Sequence, residues 1–90
     1  MLEEVKQFIE KELTYTELEQ TENALTLVFN RGADEYVLTL VQDGAVVKVI
    51  ETYTSSELLS SISKTHKFKS FAYLKNFLLL FNLSPRGWVC

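Results

Sequence analysis

Cysteine, histidine and proline each occur once in this chain, glycine three times, and no acidic residue follows Glu57. A lone cysteine, Cys90, excludes an intramolecular disulfide, so packing must hold the fold and a reducing compartment is expected. A lone histidine, His66, excludes a histidine-built metal cage, and Cys90 adds one ligand at most, so no metal is expected. Gly32, Gly44 and Gly87 stand apart and cannot assemble a phosphate-cradling loop, which leaves no cofactor motif. A nucleophile-elbow sequence is missing too, and the segment around His66 holds no acid to orient the ring as a base. His66 therefore reads as an exposed or half-buried loop residue, the chain as a non-enzyme, and no catalytic residue is nominated. Long apolar runs are also scarce. The stretch Phe71–Leu83 gives about 20 Å of helix against a bilayer core of roughly 30 Å. Met-Leu-Glu-Glu at the start has neither the basic nor the apolar block of a signal peptide. A soluble, cytoplasmic, single globular domain over residues 1–90, with no membrane contact, is the expectation.

What is present is strongly polarised. Residues 1–57 carry all twelve carboxylates against Lys6, Lys11, Arg31 and Lys48, a net charge of −8. Residues 58–90 carry Lys64, Lys67, Lys69, Lys75 and Arg86 with no acid, a net charge of +5. The overall −3 hides this asymmetry, which bears on partners rather than on fold.

Hydrophobic spacing predicts the elements. Leu2, Val5, Phe8, Ile9 and Leu13 form the stripe of an amphipathic helix. Thr14–Gln20 is compatible with a helix end, a loop or a short edge strand. From Ala24 the period drops to two. Asp43-Gly44 predicts a tight hairpin that sets Val41 opposite Val46, Leu40 opposite Val47 and Leu38 opposite Val49. The loop Arg31-Gly32-Ala33-Asp34 sets Phe29 opposite Tyr36 and Leu27 opposite Leu38. One sheet face then holds Leu25, Leu27, Phe29, Tyr36, Leu38, Leu40, Val47, Val49 and Tyr53, the predicted core. The other holds Thr26, Val28, Val37, Thr39, Val41, Val46, Lys48, Ile50 and Thr52, more apolar than a fully solvated face. The Thr54…Glu57 spacing predicts a capping box opening a short serine-rich helix on Leu58, Leu59 and Ile62. Lys64–Lys69 reads as a connector, and Ser70 as the cap of a last helix from Phe71 to about Leu83, stopped by Pro85 and Gly87. The predicted fold is α+β in the order α-β-β-β-α-α, a three-stranded antiparallel meander packed against helices.

The last helix is apolar nearly all round. Phe71, Tyr73, Leu74, Phe77, Leu78, Leu80 and Phe81 fill an arc that the sheet can cover. Ala72, Leu79 and Leu83 make a second ridge that needs another helix or another molecule. Ahead of that helix, Lys64, Lys67, Phe68, Lys69 and Lys75 interleave cations with aromatics, the mixture that nucleic-acid surfaces use. Trp88 reads as a residue pinning the tail to the domain. The layout of a helix, a three-stranded meander and a helix resembles the double-stranded-RNA-binding domain, although here a serine-rich helix intervenes. Lys64, Lys67 and Lys69 lie near the place where that family presents lysines, which implies RNA contact there. The same layout, together with the turn and strand Gly32-Ala33-Asp34-Glu35-Tyr36-Val37-Leu38, is similar to small phage-encoded anti-CRISPR inhibitors. That resemblance implies a small inhibitor.

These observations lead to a non-enzymatic regulatory protein that works by protein–protein binding or self-association. Its expected surfaces are the ridge Ala72, Leu79 and Leu83 and the outer sheet face at Val28, Val37, Val41, Val46 and Ile50. The alternative is nucleic-acid binding through the basic-aromatic segment 64–75.

Overall fold

The computed structural model describes residues 2–32, 34–55 and 61–83. Helix α1, Leu2–Glu12, leads into strands β1 (Glu17–Gln20), β2 (Ala24–Arg31), β3 (Asp34–Asp43), β4 (Val46–Ser55) and β5 (Ser61–Phe68), followed by helix α2, Phe71–Leu83. The strands form one antiparallel sheet in chain order, a five-stranded meander. The class is α+β as expected, but the sheet has two strands more than the sequence suggested. With five strands the layout also departs from that of the double-stranded-RNA-binding domain.

Both extra strands are edges. Of the three readings open for Thr14–Gln20, its second half takes the edge strand, with Leu18 opposite Leu27. At the other side, the predicted connector Lys64–Lys69 is instead mostly strand: β5 pairs with β4 from Thr54↔Ser61 to Val47↔Phe68. Ile62, Lys64, His66 and Phe68 alternate with Ser61, Ser63, Thr65 and Lys67, a period of two that a polar edge strand shows only faintly. The predicted serine-rich helix fails at both ends, because Thr54 and Ser55 continue β4 while Ser61 and Ile62 begin β5. Its middle, residues 56–60, lies outside the described residues, as do Pro85, Gly87, Trp88 and Cys90.

Register decides the faces. Phe29 lies opposite Tyr36 and Leu27 opposite Leu38, as the sequence predicted, with Gly32 at φ +65° in the turn. Across the next hairpin, Asp43 pairs with Val46, so Val41 faces Lys48, Leu40 faces Val49 and Leu38 faces Glu51. The turn is Gly44-Ala45 rather than Asp43-Gly44. Glycine thereby takes the first central position, at φ +62°, where either hairpin turn demands positive φ, and Asp43 stays on the strand. The slip is two residues, an even number, so every side chain keeps its face.

All nine predicted core-face residues are buried. Leu2, Val5, Ile9 and Leu13 of α1 and its exit, with Leu74, Leu78 and Phe81 of α2, complete one core on that side of the sheet. Ser70 caps α2 as predicted: its Oγ accepts from the Ala72 N–H at 3.2 Å and its carbonyl from the Leu74 N–H at 3.1 Å. Asn82 fastens the other end of α2, donating to the Thr14 carbonyl at 2.8 Å and accepting from the Thr14 N–H at 3.4 Å. Tyr73 and Leu80 were assigned to the arc under the sheet, but they are the most exposed large apolar side chains described, at 69% and 68%. The helix contacts the sheet along Leu74, Leu78 and Phe81, and Tyr73 and Leu80 lie off that line.

Candidate interaction surface

Both helices pack on the core side, so among the described residues the opposite sheet face has no covering layer. Val28, Val37, Val41, Val46 and Ile50 lie there, each half-buried only by its sheet neighbours. The register arranges them in rows: Val28, Val37, Thr52 and Ser63 side by side, then Thr26, Thr39, Ile50 and Thr65. Exposed Glu17 and Glu19 extend these rows on β1. At the other margin Lys48 of β4 lies directly opposite Lys67 of β5. On this face β1 carries Glu17 and Glu19, the two ends of central β3 carry Glu35 and Asp43, and β4 and β5 carry Lys48 and Lys67, so acid and base are unevenly placed across the sheet.

The α2 ridge is a second surface. Ala72 is exposed and Leu79 is 39% exposed, while the Leu83 side chain lies outside the described residues. The basic-aromatic set does not share one surface. Lys64 lies on the helix side of β5, opposite Glu51, whereas Lys67 lies on the outer side. Lys75 is turned toward α1, with its Nζ 5.1 Å from the Phe71 ring centroid and 5.8 Å from that of Phe8. Phe68 packs 5.2 Å from Phe77 and is half-buried, and Lys69 follows β5 exposed.

One feature was missed from sequence. Glu51 is 2% exposed on the core face of β4, between Val49 and Tyr53, and its Oε1 lies 2.7 Å from His66 Nε2. His66 is a strand residue, and the acid absent from its own segment comes from the neighbouring strand. Burial pushes the Glu51 carboxyl above its usual range, with His66 and Lys64 pulling it back. Its Oε2 has no hydrogen-bond partner among the described residues. The signal was available, since Glu51 is the one carboxylate at an inward position of the alternation Val47, Val49, Glu51, Tyr53. A carboxylate bonded to an imidazole is an arrangement that general bases use. Here the ring lies 4.9 Å from Phe77 and 6.3 Å from Phe68, flanked by hydrocarbon. Among the described residues no group of three or more His, Cys, Asp or Glu is placed to hold a metal ion. Nor, among them, is any helix long and apolar enough to cross a membrane. No protein family, no curated protein and no solved structure matches this chain.

Proposed function

We propose that this chain is a non-catalytic regulator that acts by binding protein through the outer face of its sheet. The observation that carries the reading is a face five strands wide whose middle is Val, Ile and Thr, with both helices on the other side. An antiparallel sheet packed on one side normally alternates to polar residues on the other. Each of these Val and Ile side chains, half-buried in the sheet, forgoes only part of the roughly 1.5–3 kcal/mol that full burial is worth, and a docking partner recovers that part. The α2 ridge at Ala72 and Leu79 supports the same class of function less strongly, because its exposed residues alternate with Asn76 and Lys75. A nucleic-acid reading draws on Lys64, Lys67 and Lys69, but β5 puts Lys64 and Lys67 on opposite sides, Lys69 lies beyond it and Lys75 points elsewhere.

The test is a photo-crosslinking residue placed, one at a time, at Val37, Ile50, Leu79 and the exposed Glu10 of α1 in cells that make the protein. Protein adducts from positions 37 and 50, absent from position 10, are expected. Adducts from position 79 alone would move the site to α2, and nucleic-acid adducts would favour the basic segment. Either result, or no adduct at all, overturns the reading.

A further inference from the structure

We infer that β5 accepts a sixth strand from another protein, an extended acidic segment whose apolar side chains tuck under the flank of α2. This surface is the edge of the sheet and stands apart from the outer face proposed above.

Among the described residues no strand lies on the far side of β5, so the outward N–H and C=O groups of an eight-residue strand are open to pairing. The opposite edge, β1, offers only four residues. What singles out β5 is the helix above it. Tyr73, Phe77 and Leu80 share one stripe of α2. Phe77 shows where that stripe points, its ring lying 4.9 Å from His66 and 5.2 Å from Phe68 of β5. Its neighbours on the stripe, Tyr73 and Leu80, are 69% and 68% exposed, and Ile62 on the helix side of β5 is 42% exposed. The apolar arc of α2 is thus wider than five strands fill. A strand added about 4.8 Å beyond β5 comes beneath the remainder.

Charge selects the strand that fits. Residues 61–83 hold Lys64, Lys67, Lys69 and Lys75 and no acid. On the outer side Lys67 lies directly opposite Lys48, a like-charge pair that costs the sheet stability. Their row continues through Val41 to Ala24 without a carboxylate, and neither lysine forms an ion pair among the described residues. Asp43, the nearest acid in register on that face, stands one row away, opposite Val46. A carboxylate on the new strand opposite Lys67 completes the row. Other occupants fit worse. A second β5 crowds lysines against lysines. β1 of another copy pairs head-to-tail, which builds an open chain rather than a closed pair. The residues after α2 hold Arg86 and no acid. Lysines on an edge turn mismatched strands away, so here they make the site selective.

The test is an NMR titration of the isotope-labelled full chain with the end-blocked peptide Glu-Val-Glu-Val-Thr-Thr-Thr-Val. In antiparallel register its glutamates come opposite Lys67 and beside Lys69, and its valines lie on the helix side. The outward amides of β5 should exchange readily in the chain alone and at least tenfold more slowly with peptide, with shifts at Tyr73 and Leu80. The same peptide with lysine for glutamate, or methylated at its backbone nitrogens, should bind at least tenfold more weakly. Lys67→Glu/Lys69→Glu should reverse the preference in favour of the lysine peptide, a gain that misfolding would not produce. Outward amides already protected without peptide would mean that the chain covers its own edge, and growth in mass with concentration would give the edge to another copy. Either result overturns the inference, as do shifts confined to β1 or the outer face, equal binding of the two charge forms, or no binding at millimolar peptide. Crosslinks from Val37 and Ile50 report on the outer face alone, so that reading stands or falls separately.

Discussion

Glu51 concentrates the cost of this fold at one side chain. A carboxylate on the core face, opposite Leu38 and beside His66, loses most of its hydration, and burial raises its pKa above the ordinary range. The folded chain therefore holds this proton more tightly than the unfolded chain does. The stability Glu51 contributes is complete below the unfolded value, about 4.3, and is lost as pH rises through the raised folded value. Glu51→Gln stays neutral throughout. The urea midpoint of the wild type should therefore fall relative to that of the variant as pH is raised from near 4 toward 7. For one proton the steepest slope is about 1.4 kcal/mol per pH unit. A midpoint difference that is flat over that window would show that this carboxyl is not held in its protonated form by folding.

At the scale of elements, α2 separates what burial secures from what it leaves over. Leu78 is fully buried and Leu80 is 68% exposed, two residues apart on one helix. Leu78→Ala should cost about 2–5 kcal/mol and Leu80→Ala less than about 0.5 kcal/mol, compared by denaturant midpoints. Equal costs would mean that α2 docks on a different face. The sequence made α1, β2, β3, β4 and α2 legible because each has a strong period or a recognisable cap. It missed β5 because SISKTHKF has only Ile62 and Phe68 as large apolar inward residues, so periodicity had little to register. It also read Thr54 and Glu57 as a cap although Thr54 extends β4 opposite Glu35, a place where pairing overrides a local motif. The Asp43-Gly44 turn was placed one position early, yet the face assignment survived because the strand period tolerates even shifts and only odd ones invert the sheet. The candidate surface was legible in part. Alternation identified the outer face, but the opposition of Lys48 and Lys67 required β5.

For the molecule as a whole, the meander has a temporal consequence. Each strand pairs with its neighbour in the chain, so the sheet can zip outward from the β3–β4 hairpin by short loop closures. The helices are different. Asn82 meets Thr14 across 68 positions of sequence, and Phe8 meets Phe71 with ring centroids 6.4 Å apart, so α2 can dock only after the whole sheet has been synthesised. During translation a growing sheet thus presents both faces bare, the one α2 will cover and the one it never covers. Pulsed hydrogen exchange during refolding should find β3 and β4 amides protected before those of α1 and α2. The reverse order would mean that the helices template the sheet. While α2 is still inside the ribosome, the outer face is open to premature contact with a neighbouring nascent chain. On a polysome those neighbours are copies of itself, so bare apolar sheet faces meet at high local concentration before the helices can cover one of them.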